Sequence, residues 1–143
     1  MRRILLSLLG ALTLGHACLA ADASQQVFDL FTKIASELTA DNPLVFLEAV
    51  DHEMSHYGDF EANLTALAAQ AELTNSIEVL TDQGDDAARV EQLDWFVQIV
   101  GKADPTAVER RREVVTFRLE RRGKKKKWKI VSIDPLSFFR PPK

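Results

Sequence analysis

Apolar residues recur at helical spacing early in the chain and alternate with polar ones toward its end. Val27, Leu30, Phe31, Ile34 and Leu38 repeat every three or four positions behind Ser24, a good N-cap, which predicts an amphipathic helix over 24–39. Asp41-Asn42-Pro43 opens a second helix, predicted from Pro43 to about Tyr57 with Gly58 just past its end. Asp59 caps a third, with Phe60, Leu64, Leu67, Ala68 and Ala71 in one stripe. After Leu73 the period shortens. Ile77 and Val79 lead through the turn Gln83-Gly84-Asp85-Asp86 into Ala88–Val100. Glu113–Arg121 and Lys127–Ile133 complete the strands, joined at Arg122-Gly123-Lys124 and ended by Asp134-Pro135. Helices followed by an antiparallel meander predict an α+β fold, with three N-terminal helices packed on a curved four-stranded antiparallel sheet.

The first twenty residues follow a different pattern. Arg2 and Arg3 precede an apolar stretch from Ile4 to Leu14, and small residues around Cys18-Leu19-Ala20-Ala21 allow cleavage after Ala20. This reads as a secretory signal peptide over 1–20, followed by one domain over 21–143 in a periplasmic or secreted protein. The apolar run is short for a bilayer span, so no stable membrane insertion is expected after cleavage. Lipidation at Cys18 is the competing outcome, although Gly15 stands where a lipobox has leucine. Cys18 is the only cysteine, so neither an internal disulfide nor thiol chemistry is expected in the mature chain.

Composition, 46% hydrophobic and 27% charged, is that of a packed globule and excludes a disordered chain. Charge is divided along the sequence. Residues 21–105 carry 3 basic and 17 acidic side chains, whereas 106–143 carry 13 and 4. The halves attract each other within a fold or across a dimer, and an exported acidic protein is a poor candidate for nucleic acid.

The helix-helix-helix-strand order, the Leu93-Asp94-Trp95 segment and the closing Trp128-Lys129-Ile130-Val131-Ser132-Ile133-Asp134-Pro135 resemble the nuclear transport factor 2-like superfamily. That group includes SnoaL-like cyclases and ketosteroid isomerase. The resemblance implies that the sheet curls into a cone. It implies little about activity, since enzymes, carriers and interaction modules share the fold.

His52-Glu53-Met54-Ser55-His56 matches the zinc-peptidase pattern H-E-x-x-H. On the predicted second helix, however, both histidines lie opposite the apolar side of Leu47, Val50 and Met54, and no third histidine follows signal removal. A solvated helix end is the expected reading, with no metal. The resemblance invites an acid/base role for Asp94, because isomerases of this fold place carboxylates in the cone. Strand parity places Asp94 on the outer face instead, opposite Leu93, Trp95, Val97 and Ile99, and pairs it with an arginine such as Arg118. The first helix has no tyrosine to act as an oxyanion donor. The residues expected to line any ligand cavity are Tyr57, Trp95, Phe117 and Trp128, although aromatics at these spacings also serve as packing.

The inward strand positions Leu93, Trp95, Val97, Ile99, Val115, Phe117 and Leu119 are apolar, with no convergent titratable pair among them. The expected function is therefore a non-catalytic, cofactor-free module that binds a small apolar ligand or a partner. The alternative is a small-molecule isomerase, dehydratase or cyclase using Asp94 or the His52/His56/Tyr57 cluster. A homodimer is expected through the outer sheet face, where Phe96, Val114 and Trp128 or Ile130 interrupt polar positions. Phe138-Phe139 is expected to fold back on the domain.

Overall fold

The computed structural model describes residues 14–143 apart from Lys124, with side chains described from Asp22 onward. Helix α1 (Leu14–Thr39) is followed by the short α2 (Leu44–Ala49) and by α3 (Tyr57–Gln70). Strands β1 (Ala71–Gly84), β2 (Ala88–Gly101), β3 (Val108–Arg122) and β4 (Lys127–Asp134) pair antiparallel in the order β1-β2-β3-β4. A 3-10 turn, Leu136–Phe139, closes the chain. The α+β architecture is the expected one. The 24–39 helix lies within α1, whose N-terminal extension carries part of the predicted signal segment; residues 1–13 of that segment lie outside the described residues.

Helix α1 runs antiparallel to β1 and is pinned at both ends. Ser24 Oγ donates to Asp82, and the Asn75 backbone N–H donates to Thr39 Oγ1 at 3.0 Å. The spacing matches: fifteen helical residues rise about 22 Å, and seven strand residues span about 23 Å. Between the pins Val27, Phe31, Ile34 and Leu38 are buried against the sheet.

The second helix stops far short of Tyr57. Val50 leaves the helix in extended conformation and bridges Ile130, with the Asp51 N–H donating to the Ile130 carbonyl at 2.8 Å. Asp51 then turns the chain by accepting from the Glu53 N–H, a local bond that competes with helix formation. His56 sits in the left-handed region, at φ 61, and α3 begins at the next residue. Gly58 therefore lies in the first turn of α3 rather than past the end of α2. At the β1–β2 hairpin, Gly84 has φ 137, and a Cβ there would run into the Ala88 carbonyl, so the turn requires glycine.

The sheet's inner face is apolar at its centre. Trp95 has no exposed surface and packs on Phe46, Phe117, Phe138 and Phe139, with ring centroids 5.2–6.5 Å apart. Its indole N–H donates to Asn75 Oδ1 at 2.9 Å, so the buried dipole is satisfied. Phe139 also contacts Phe46 and Phe60, which makes the C-terminal segment part of the core. The buried Arg111 fastens it, donating to the carbonyls of Phe138, Arg140 and Pro141 at 2.6–2.9 Å.

Two bulges reset the strand faces. On β4 the register shifts between Arg118 and Leu119, so Ile130 pairs with Leu119 and Trp128 with Arg121. Ile130 is consequently fully buried, and Trp128 packs inward beneath α1, with its indole N–H on Gln26 Oε1. Neither side chain joins the outer apolar patch, contrary to the alternation read from sequence. The second shift falls at Leu80 on β1, between Val79 and Thr81.

Phe139→Ala is expected to cost about 3–5 kcal/mol in urea unfolding, as for other fully buried aromatics. A loss below about 1 kcal/mol would mean that the tail lies on the core rather than within it.

Candidate functional site

The bulge at Leu80 has a chemical consequence. Val79 points inward; the extra residue then carries Thr81 opposite Gln92 and Asp82 opposite Glu91. Without it Asp82 would face outward. On β2 the inward parity of Leu93 and Trp95 continues through Glu91 and Arg89, both buried. Ser24 reaches this point from α1. Four polar side chains from three elements thus converge at one end of the cone.

Arg89 Nε donates to Asp82 Oδ1 at 3.0 Å, and its terminal nitrogen makes a second bond to the same oxygen. The other terminal nitrogen holds the Asp85 carbonyl at 3.1 Å, while Glu91 Oε1 lies 3.5 Å from Nε. Both Asp82 oxygens are engaged, since Ser24 bonds Oδ2. Burial alone would raise the Asp82 pKa, but hydrogen bonds from Glu91, Ser24 and Arg89 bring it down to about 2. Glu91 moves the other way. Burial first, then the neighbouring Asp82 carboxylate, push it up to about 8 against the smaller pull of Arg89. Two carboxyls this close share one proton, and Glu91 holds it at neutral pH.

A cavity of about 430 Å³ opens over this cluster, lined by Ser24, Gln25, Phe28, Val79, Asp82 and Glu91. A larger one, about 650 Å³, lies at the other end of the sheet between the β2–β3 turn and the C-terminal tail. Its charged residues are already committed: Lys102 to Asp41 and the Ala68 carbonyl, Glu109 to Arg111. Size and chemistry therefore point to different ends, and convergent polar groups favour the smaller cavity.

The residues singled out from sequence do not meet there. Trp95 and Phe117 are fully buried in the aromatic core. Trp128 lies under Arg121, 4.7 Å from ring centroid to guanidinium carbon. Tyr57 stacks on His52 and donates to Glu61 at 3.2 Å; partial burial, then Glu61, raise its pKa. None of the four lines the 430 or the 650 Å³ cavity. Asp94 faces outward as parity requires, but its partner is Arg112 rather than Arg118. Both Arg112 Nε and a terminal nitrogen bond it, at 2.7–3.1 Å, and these bonds hold its carboxyl below the usual range. His52 and His56 are exposed on the turn between α2 and α3, so they do not form the one-turn helical pair that zinc peptidases use. Among the described residues no three His, Cys, Asp or Glu side chains gather as metal ligands.

The expectation of an inner face without titratable groups is thus corrected: Asp82, Arg89 and Glu91 converge at one end, and Arg111 sits toward the other. Sequence did carry part of the signal, since Glu91 and Arg89 continue the odd-numbered inward series of β2. Asp82 was hidden by the bulge.

The pair makes stability depend on pH. Glu91, raised above its unfolded value of 4.5, contributes stability that is full below that value and is lost as pH climbs through about 8. Asp82, lowered from 3.8, contributes stability that is lost only as pH falls through about 2. Wild type is expected to lose stability between pH 5 and 8.5, by on the order of a few kcal/mol more than Glu91→Gln does. Parallel curves of urea midpoint against pH for the two proteins would refute the shared proton.

Comparison with solved structures identifies the fold. An NTF2-like superfamily protein from Salmonella enterica serovar Typhimurium superposes with TM-score 0.62 and 9% identity, over 79% of this chain and 89% of that one. A candidate aromatic ring hydroxylase from Novosphingobium aromaticivorans gives 0.58 and 12%, over 79% and 87%. No sequence-family model and no curated protein matches. Helix order, sheet order and these superpositions agree: the chain has the nuclear transport factor 2-like fold.

Proposed function

We propose that this protein is an exported, non-catalytic module that holds a small, largely apolar ligand at the open end of its cone. The observation carrying this reading is the 430 Å³ cavity, in which Phe28 and Val79 form an apolar wall beside the buried Ser24, Asp82 and Glu91 cluster. Deeper space is filled by Trp95, Phe46, Phe117 and Phe139, so a ligand is confined to the mouth. Export rests on the Arg2-Arg3 and Ile4–Leu14 pattern.

An isomerase, dehydratase or cyclase of this fold is the second reading, and the observation favouring it is the Asp82–Glu91 pair rather than Asp94 or the His52/His56/Tyr57 cluster. Such chemistry needs a base as well as an acid. Asp82 has both oxygens engaged and a pKa of about 2, which makes it a weak base. Binding without turnover is therefore preferred.

A homodimer through the outer face accompanies this proposal. Phe96 and the half-exposed Val114 form its apolar centre, with Arg110, Arg112 and Arg118 around them. Native mass spectrometry of the protein exported under its own first twenty residues tests the reading. Expected is a chain starting at Ala21, at twice the monomer mass, carrying a small molecule. A chain still starting at Met1, or a lipid on Cys18, would contradict the localisation. Phe96→Asp is expected to sediment as a monomer, and a wild type already monomeric at micromolar concentration would refute the dimer.

A further inference from the structure

The cavity's polar end indicates what class of ligand it takes, an inference that rests on the ligand-binding reading above. Asp82 and Arg89 neutralise each other, and neither has spare capacity directed at a ligand: Asp82 is bonded by Ser24 and Arg89, and Arg89 is spent on Asp82 and the Asp85 carbonyl. Glu91 is the remaining member, and it lines the cavity. The groups facing it are few. Strand β1 supplies Asp82, β2 supplies Arg89, α1 supplies the uncharged Ser24 and Gln25, and β3 places Phe117 opposite in register. The acidic residues of this stretch of α1, Asp22 and Asp29, are exposed, and Gln25 donates to Asp29 at 2.8 Å.

An uncharged carboxyl at the wall is both a donor, through its O–H, and an acceptor, through its C=O. Its reciprocal partner is an amide or similar carbonyl, which bonds it without bringing charge into a half-buried site. A carboxylate ligand would meet Asp82 as a like charge. An ammonium ligand would have to expel the shared proton first. Phe28, 48% exposed, and Val79 offer the apolar contact for the rest of the molecule.

We propose that this pocket selects uncharged small molecules with an amide or carbonyl end, met by Glu91 as a carboxylic acid, over ammonium or carboxylate ligands of the same shape. Binding is then linked to one proton. Affinity for the neutral ligand falls as Glu91 ionises, and affinity for a cation of equal size rises over the same range.

Benzamide, benzoate and benzylammonium share an aromatic body and differ in charge, so they isolate this point. Binding is followed by NMR shifts of Phe28 and Val79 in the full mature chain, from pH 6 to pH 9. Benzamide is expected to bind best at pH 6 and roughly tenfold more weakly at pH 9, one pH unit above the Glu91 midpoint of about 8. Benzylammonium should show the opposite trend. Glu91→Gln, an uncharged isostere, should retain benzamide binding and lose its pH dependence. Phe28→Ala changes an exposed residue and should weaken all three probes alike. Probes that shift Phe28 and Val79 with benzylammonium preferred at pH 6, or with benzamide binding flat from pH 6 to 9, would overturn the proton-linked selectivity alone. No shift at Phe28 or Val79 with any probe at any pH would overturn both this inference and the ligand-binding reading.

Discussion

An aromatic cluster fills the space between helices and sheet, and the placement of every polar group follows from it. Phe46 from α2, Phe60 from α3, Phe117 from β3 and Phe138-Phe139 from the tail surround Trp95, leaving the middle of the cone no room for a ligand. A cone-shaped fold often encloses a cavity; here the chain's own C-terminal rings occupy it. Polar inward residues are consequently pushed to the two ends of the sheet. At one end Arg111 serves the backbone of the tail that does the filling. At the other, Asp82, Arg89 and Glu91 border open space.

The two ends differ in what their buried charges are for. Arg111 spends its guanidinium on three main-chain carbonyls and on Glu109, so its role is mechanical. The Asp82–Arg89–Glu91 group has one cation for two carboxyls, and burying a second negative charge beside Asp82 would be costly. Protonation of Glu91 resolves that conflict. The same solution leaves a hydrogen-bonding group of no net charge facing the cavity. An ordinary surface ion pair such as Asp94–Arg112 has no such conflict and needs no proton.

Much of this was readable from the sequence. The helix over 24–39, the four strands, the hairpin at Gly84 and the outward Asp94 follow from periodicity and turn chemistry, because long amphipathic elements dictate their own faces. Three features resisted. The second helix ended early because Val50 found a strand partner in Ile130, eighty residues away, and no local signal reports such a contact. Ile130 and Trp128 turned inward, and Asp82 with them, because one extra residue in each strand inverts the alternation beyond it. The binding aromatics were misplaced for a related reason. Spacing shows that Trp95 and Phe117 face the cone but not that Phe138 and Phe139 already fill it.

The account stands or falls on where one proton resides at neutral pH. Carboxyl 13C chemical shifts of the glutamate side chains, followed from pH 3 to pH 10 and assigned by loss of one signal in Glu91→Gln, measure it directly. The account predicts a glutamate that titrates near pH 8, with Asp82 still ionised at pH 3. A Glu91 signal titrating near 4.5, like an exposed glutamate, would contradict it.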